Sequence, residues 1–522
     1  MGHRIAGTLG LVGLAVLVGA CGGSGGGGQA NSGQSLDQRV EALCRKNNLE
    51  GSPQLEEPAY TSAQLDIRDK RRELGRLLFF DHALSGVQQT SCATCHHAAF
   101  QFSDARNIAR GVFCDLVPEV SITCHEAPPP GQDGNVLGPD RRSPLNSRNT
   151  PSLIDNALYP RLMWNGRFRF NDTRSTDVNV LDASLGFRFP APENDLFTRS
   201  LLAGQAEIPV TELVEMTGDY PHLDGKIEEN AEEAHKEVRN GLAGRIDFMP
   251  AYRTLFEEAY PADRPDLALS PNDPVVGPND DLQYDAIGDA IGHFIESLVM
   301  TESPFDHYIK DHDLGAISES AKRGAEIFMS DGHCSSCHAG DLFSDFENHN
   351  IGVPQVGPGT GFSSPHDPAY AGKTNWDFGL EEITTNREDR FKFRTPPLRG
   401  VALTSPYMHN GAYTTLEDAI RHHMDPAAAY AAYDITQIEP DMQAYGLNPA
   451  APVFDSINPV ELGHGPGQLR IDLTDAQIAD LIEFLKSLTD PRMLETDSLA
   501  PTSVPSGLPL DVPGPRRFPI YQ

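Results

Sequence analysis

Beyond residue 21 the sequence has no apolar run near the roughly 20 residues that a membrane-spanning helix needs. That argues against an integral membrane protein. Basic residues are scarce, with 41 Lys and Arg against 74 Asp and Glu, a formal net charge of −33. A surface of that sign repels phosphate, so nucleic acid is disfavoured as a partner. Strand-type alternation is scarce too, which points to a mainly α fold with long loops rich in the 41 prolines and 47 glycines. What is present suffices for packed cores. Hydrophobic residues make up 39% of the 522 and aromatics 8%, which excludes a disordered chain and allows two to four domains.

The first 21 residues read as an address. Arg4 precedes an apolar run from Ile5 to Val18, and Val18-Gly19-Ala20 leads into Cys21. A cationic start, a short greasy segment and small residues describe an export signal. A cysteine directly after them resembles a bacterial lipobox, in which Cys21 becomes the lipidated first residue. An ordinary signal peptide with an incidental cysteine is the alternative. Residues 22–35, rich in Gly and Ser, form a flexible tether. The expectation is a protein on the periplasmic side, held by a lipid anchor where disulfides are permitted.

Seven cysteines remain, and four fall into two copies of one pattern, Cys92-Ala93-Thr94-Cys95-His96 and Cys334-Ser335-Ser336-Cys337-His338. C-x-x-C-H is the attachment motif of c-type haem, with two thiols bonding the porphyrin and the adjoining histidine reaching the iron. A Cys₄ zinc site would leave both histidines unexplained and would join pairs more than two hundred residues apart. Two covalently bound c-type haems are expected. Cys44, Cys114 and Cys124 are left. Cys114 and Cys124 share a Pro-rich loop and can form a disulfide, while Cys44 could pair with either; one thiol stays over.

A helix-like segment precedes each motif, Arg72 to Phe80 and Ser320 to Met329. Ile287, Ile291, Phe294, Ile295 and Leu298 have amphipathic helical spacing. Thr474 to Gln477 reads as a capping box that opens another helix. The stretch Ala262 to Asp281, dense in Pro, Asp and Asn, suggests a boundary between haem domains at 36–275 and 276–495. Residues 496–522 form a Pro-rich tail that wraps over a surface. No short repeat is apparent apart from the haem motif.

The residues around the motifs resemble the bacterial di-haem cytochrome c peroxidase family, which includes the MauG-like enzymes. The resemblance spans roughly residues 70–490 and rests on separate stretches: Leu74 to Asp81, Ser91 to His96, Arg148 to Leu153, Trp164 to Arg167, Ser303 to Asp306, His349 to Val353 and Thr404 to Gly411. It implies a peroxidatic haem on His96 and an electron-transfer haem on His338, with Trp164 between them. It also implies a pocket glutamine followed ten residues later by an acid/base glutamate, with a proline between them. Gln205, Pro209 and Glu215 fit that spacing. A positioned carboxylate can take a proton from the near peroxide oxygen and deliver it to the leaving one. Glu207 and Glu212 read as solvated charges. The family's inter-domain calcium would fall to protein oxygens of Asn149, Thr404 and Pro406, donors that a hard cation prefers.

Three departures accompany the resemblance. About thirty extra residues separate Arg167 from Gln205. The long segment Gly111 to Ser147 offers only His125 as a distal ligand for the first haem, so that haem is expected to be five-coordinate or water-ligated. The distal ligand of the second haem falls on His423, with Met424 next and Met408 behind it; His422 matches a family histidine that is not a ligand. Methionine would raise that haem's potential relative to bis-histidine ligation.

Three readings follow. The leading one is a peroxidase that reduces hydrogen peroxide to water with electrons from a small c-type cytochrome or cupredoxin. The second is a MauG-like enzyme that oxidises an aromatic residue of a partner protein. The third is a di-haem electron carrier with both irons saturated.

Overall fold

The computed structural model describes residues 34–55, 58–112, 114–117, 121–124, 136–137, 146–169, 200–218, 231–270, 273–360, 376–454 and 470–514, with 457, 516, 518, 520 and 521. Cys21, His125 and the extra residues between 170 and 199 lie outside them. The described architecture is mainly α. Its strands are short and form four two-stranded ladders.

Two apolar cores divide the chain, one around each haem motif. The first begins with the helix Ser62–Phe79, whose N-cap Thr61 and Gln64 complete a capping box. Leu74, Leu78 and Phe79 on its inner face bury against the helix Tyr284–Glu296. The second pairs the helix Glu319–Met329 with Asp475–Ser487, which starts at the expected Thr474–Gln477 capping box. Both pairs cross at a glycine. A Cβ at Gly75 would overlap the Ala290 carbonyl, and one at Gly324 the Asp480 carbonyl, so neither crossing admits a side chain.

The domain boundary differs from the sequence expectation. Leu282, Ile287, Ile291, Phe294 and Leu298 all pack into the first core, so the change of core comes after Met300 rather than at 275/276. The Pro- and Asp-rich stretch turns back onto the first domain, because the Val276 amide within it donates to the carbonyl of Tyr260 just before it. The N-terminal helix Leu36–Lys46 also crosses over. Val40, Cys44 and Leu49 bury in the second core, and Arg39 pairs with Glu326 at 2.6 Å.

The repeat is longer than the haem motif, contrary to the sequence reading. Phe102-Ser103-Asp104 and Phe343-Ser344-Asp345 follow the two motifs, and Thr150-Pro151 and Thr395-Pro396 come later. Ser103 Oγ donates to the Thr150 carbonyl (3.0 Å) and Ser344 Oγ to the Thr395 carbonyl (2.7 Å). The short motifs hide in the sequence because the spacers between them differ in length. The tail packs on both domains: Val504 joins the first core and Thr94 Oγ1 donates to Asp511, while Tyr521 packs on the second core.

Candidate functional site

The two haem motifs open into one cavity of about 750 Å³ between the domains. In the first, the short helical turn Cys92–Cys95 ends at His96, whose Nδ1 donates to the Phe102 carbonyl (3.0 Å). His338 Nδ1 donates likewise to the Phe343 carbonyl (3.0 Å). Each bond fixes the tautomer and leaves Nε2 with a lone pair, the form that ligates a metal. Burial lowers both imidazoles to about 4 and keeps them neutral. The thiols of Cys92, Cys95, Cys334 and Cys337 are unbridged, and burial pushes Cys92 and Cys334 up to about 12.

On the wall with His96, a helix and two turns carry the expected pocket residues. Gln205 ends the helix Leu201–Gln205 and its Nε2 donates to Met163 Sδ (3.1 Å). Pro209 starts the next turn, and the amides of Glu215, Met216 and Thr217 all close back on the Glu212 carbonyl. This wide turn sets Glu212 and Glu215 in the cavity with Arg167. Glu212 is therefore not the solvated charge that its sequence context suggests. Its Oε1 is buried without a hydrogen-bond partner, and burial, reinforced by the Glu215 charge, pushes its carboxyl up to about 8. Burial raises Glu215 too, with the Arg167 guanidinium pulling the other way. Arg167 carries the compensating charge that the sequence reading assigned no task. Glu207 is also buried, 3.9 Å from Arg239.

Around the second motif, the helix Leu416–Met424 starts at the N-cap Thr415 and delivers His423 opposite His338. The two ring centroids are 6.3 Å apart. Two imidazoles on opposite sides of one metal, with bonds of about 2 Å, would stand roughly 6 Å apart, so the pair fits a haem iron between them. His423 Nδ1 donates to the Ala419 carbonyl (2.7 Å), so Nε2 is the ring nitrogen that carries the lone pair. His422 differs, since both nitrogens are engaged, Nε2 with the Ile351 carbonyl and Nδ1 with Tyr413 Oη, each at 2.9 Å. Met424 and Met408 line the same cavity.

Trp164 lies between the two ends. Its Nε1 donates to the Asn149 carbonyl of the first domain (2.7 Å), and its own carbonyl accepts from the Arg394 amide of the second (2.7 Å). Asn149, Thr404 and Pro406 are on the cavity wall, and the Asn149 amide donates to the His409 carbonyl (2.7 Å). Among the remaining cysteines, Cys44 is buried and unbridged, while strand register sets Cys114 opposite Cys124.

Comparison with known proteins agrees with this geometry. Residues 69–313 match the family model for di-haem cytochrome c peroxidase. The methylamine utilization protein MauG of Methylophilus methylotrophus is 25% identical over 393 residues, 75% of this chain and 81% of that protein. Cytochrome c551 peroxidase of Pseudomonas aeruginosa is 26% identical over 355 residues, 68% of this chain and 71% of its own. The fold is shared with a crystallised MauG-like protein associated with microbial copper homeostasis, at a TM-score of 0.52 and 21% identity over 85% of this chain and 96% of that one. Two attachment motifs opening on one cavity and a duplicated scaffold thus accompany the match of residues 69–313 to the di-haem cytochrome c peroxidase family.

Proposed function

We propose that this di-haem peroxidase reduces hydrogen peroxide to water at the His96 end of the cavity, with electrons from a small c-type cytochrome or cupredoxin received at the His338 end. The observation that carries the reading is the half-buried pair Glu212 and Glu215 facing Arg167 beside the first haem motif. Bound haem would supply peroxide binding and electron storage. The chain's own residues then handle the protons. Glu215 takes the proton from the near peroxide oxygen and passes it to the leaving oxygen. Glu212, held protonated at neutral pH, restocks it. Gln205 orients the peroxide, Pro209 fixes the turn, and Arg167 balances the charge of the ionised pair.

Trp164 would couple the two ends, and His338 and His423 would hold the second haem. The sequence alternative Met424 is one residue on, rotated by about 100° around the helix. Bis-histidine ligation lowers that haem's potential relative to methionine, and this favours a second reading, MauG-like oxidation of an aromatic residue in a partner protein. One calcium ion held by oxygens of Asn149, Thr404 and Pro406 would tie the domains together. Lipid anchoring through Cys21 would hold the protein on the periplasmic side, where a Cys114–Cys124 disulfide is stable. No described helix is long and apolar enough to cross a membrane.

The test is steady-state peroxide consumption by the purified di-haem protein with a pre-reduced cytochrome or cupredoxin. Rapid turnover is the expected result. Negligible turnover with a long-lived change in haem absorbance would move the assignment to protein-substrate oxidation. No spectral response would leave the electron carrier.

A further inference from the structure

The two haem motifs share one scaffold but differ in what lies over them. In the first, Ser91, Ala93, Thr94 and His97 are all buried. In the second, the equivalent positions are open: Ser335 and Ala339 are half-buried, and His333 and Ser336 are exposed. The cover over the first motif is the C-terminal tail. Asp511, 7% exposed, accepts from Thr94 Oγ1 at 2.5 Å and from Ser91 Oγ at 3.5 Å, and its carboxylate stands 3.2 Å from His82 Nε2. Thr496 Oγ1 donates to the Ala98 carbonyl (2.7 Å). The Arg516 guanidinium donates to the Ala99 carbonyl (3.2 Å) and lies over the Phe100 ring. Val512–Pro513 pairs in parallel with Val136–Leu137, so the long segment after the first motif meets the tail beside Asp511.

Buried polar groups are normally satisfied, and a tail can be tethered by such bonds for stability alone. The second motif supplies the comparison. It keeps the matching Ser344 and His338 hydrogen bonds with no such cover among the described residues, so attaching a haem does not require one. What separates the two sites is their task, since one meets peroxide and the other meets the donor. The porphyrin is bonded to the chain at the attachment peptide, so an open peptide is where a protein donor comes closest. Electron transfer weakens steeply with distance.

We propose that the tail is a screen that bars redox proteins from the first attachment peptide, so that electrons enter only at the second motif. Asp511 is its fastening point, a positioning residue that decides which site takes the electron. The inference rests on the peroxidase reading. One hydrogen peroxide takes two electrons and two protons to give two waters, and each reduced cytochrome gives one electron. With the screen in place, both electrons pass through the second site. Without it a donor reaches the peroxide site directly, a competing reaction of the kind that a redox protein must exclude.

The experiment uses the holoprotein as wild type, as Asp511→Ala and with residues 511–522 deleted. Carbon monoxide binds and traps a reduced haem that has an open axial position, so it reports reduction of the first haem and ignores one with both positions filled. Under carbon monoxide and without oxygen, stopped flow follows adduct formation against rising concentrations of a reduced basic c-type cytochrome. In the wild type the rate is expected to level off, because the electron must first cross from the second haem. In both variants it should keep rising with donor, to at least tenfold above the wild-type limit. Variants with normal haem absorbance that keep the wild-type limit, or a wild type that never levels off, overturn the screen alone. If the deletion loses haem absorbance, Asp511→Ala decides; if that variant loses it as well, the tail is structural and the screen is overturned. A wild type that binds no carbon monoxide after reduction with dithionite has no open iron, which overturns the peroxidase reading and the screen with it.

Discussion

Glu215 and Glu212 sit three residues apart on one turn, and their shared burial makes ionising both unfavourable. One proton is therefore retained near neutral pH, as an acid/base pair requires. Replacing Glu215 with Gln should keep both haem spectra and cut peroxide turnover by about 10²- to 10⁴-fold, the usual worth of general acid–base catalysis. Full activity in that variant would remove the role. For Glu212 the sign follows from its raised carboxyl, which faces Glu215 and Arg167. The protonated, proton-giving form prevails below about 8 and is lost above it. Turnover should fall as pH rises through that value, and Glu212→Gln should lose this alkaline limb in a pH–rate profile. Glu215 was legible from its spacing to Gln205 and Pro209. Glu212 was not, because burial of a lone carboxylate depends on what covers it, and Arg167 comes from elsewhere in the chain.

Helices were the elements most readable from sequence, since capping boxes and apolar periodicity act within one turn or a few. Thr474 with Gln477 and the Ile287-to-Leu298 stripe both appear where expected. Their partners were less readable. The crossings at Gly75 and Gly324 depend on backbone contact across more than a hundred residues. Alanine at either glycine should overpack its crossing at a cost of about 1–3 kcal/mol, seen by calorimetry as a lower melting temperature. A variant that melts like the wild type would show that the helices can separate without loss. The duplicated Phe-Ser-Asp and Thr-Pro elements were in plain sight, but their significance came only with the matching Ser103 and Ser344 hydrogen bonds.

At the scale of the whole molecule, the cavity spans both domains and Trp164 is hydrogen-bonded to each. Substituting Phe for Trp164 removes the Nε1–H bond and the larger π-system while keeping an apolar ring. Peroxide-driven oxidation of the second haem, followed by stopped-flow absorbance, should slow while both haem spectra at rest stay normal. An unchanged rate would place the coupling elsewhere. The crossing of residues 36–49 onto the second core makes another prediction. Deleting them should loosen the haem on His338 before the one on His96, because Val40, Cys44 and Leu49 bury only in that core. Preferential disturbance of the first haem would contradict this arrangement.

The sequence by itself determined the cofactor class, since C-x-x-C-H chemistry is complete within five consecutive residues. It also determined the mainly α character and, through separated motifs, the family likeness. Tertiary structure decided which residues meet. His423 faces His338 across 85 positions of chain, Trp164 reaches Arg394, and the N-terminal helix lies on the second core. Local bonding is fixed by neighbours in the chain, whereas burial, ring contacts and charge pairing arise only when distant segments pack together.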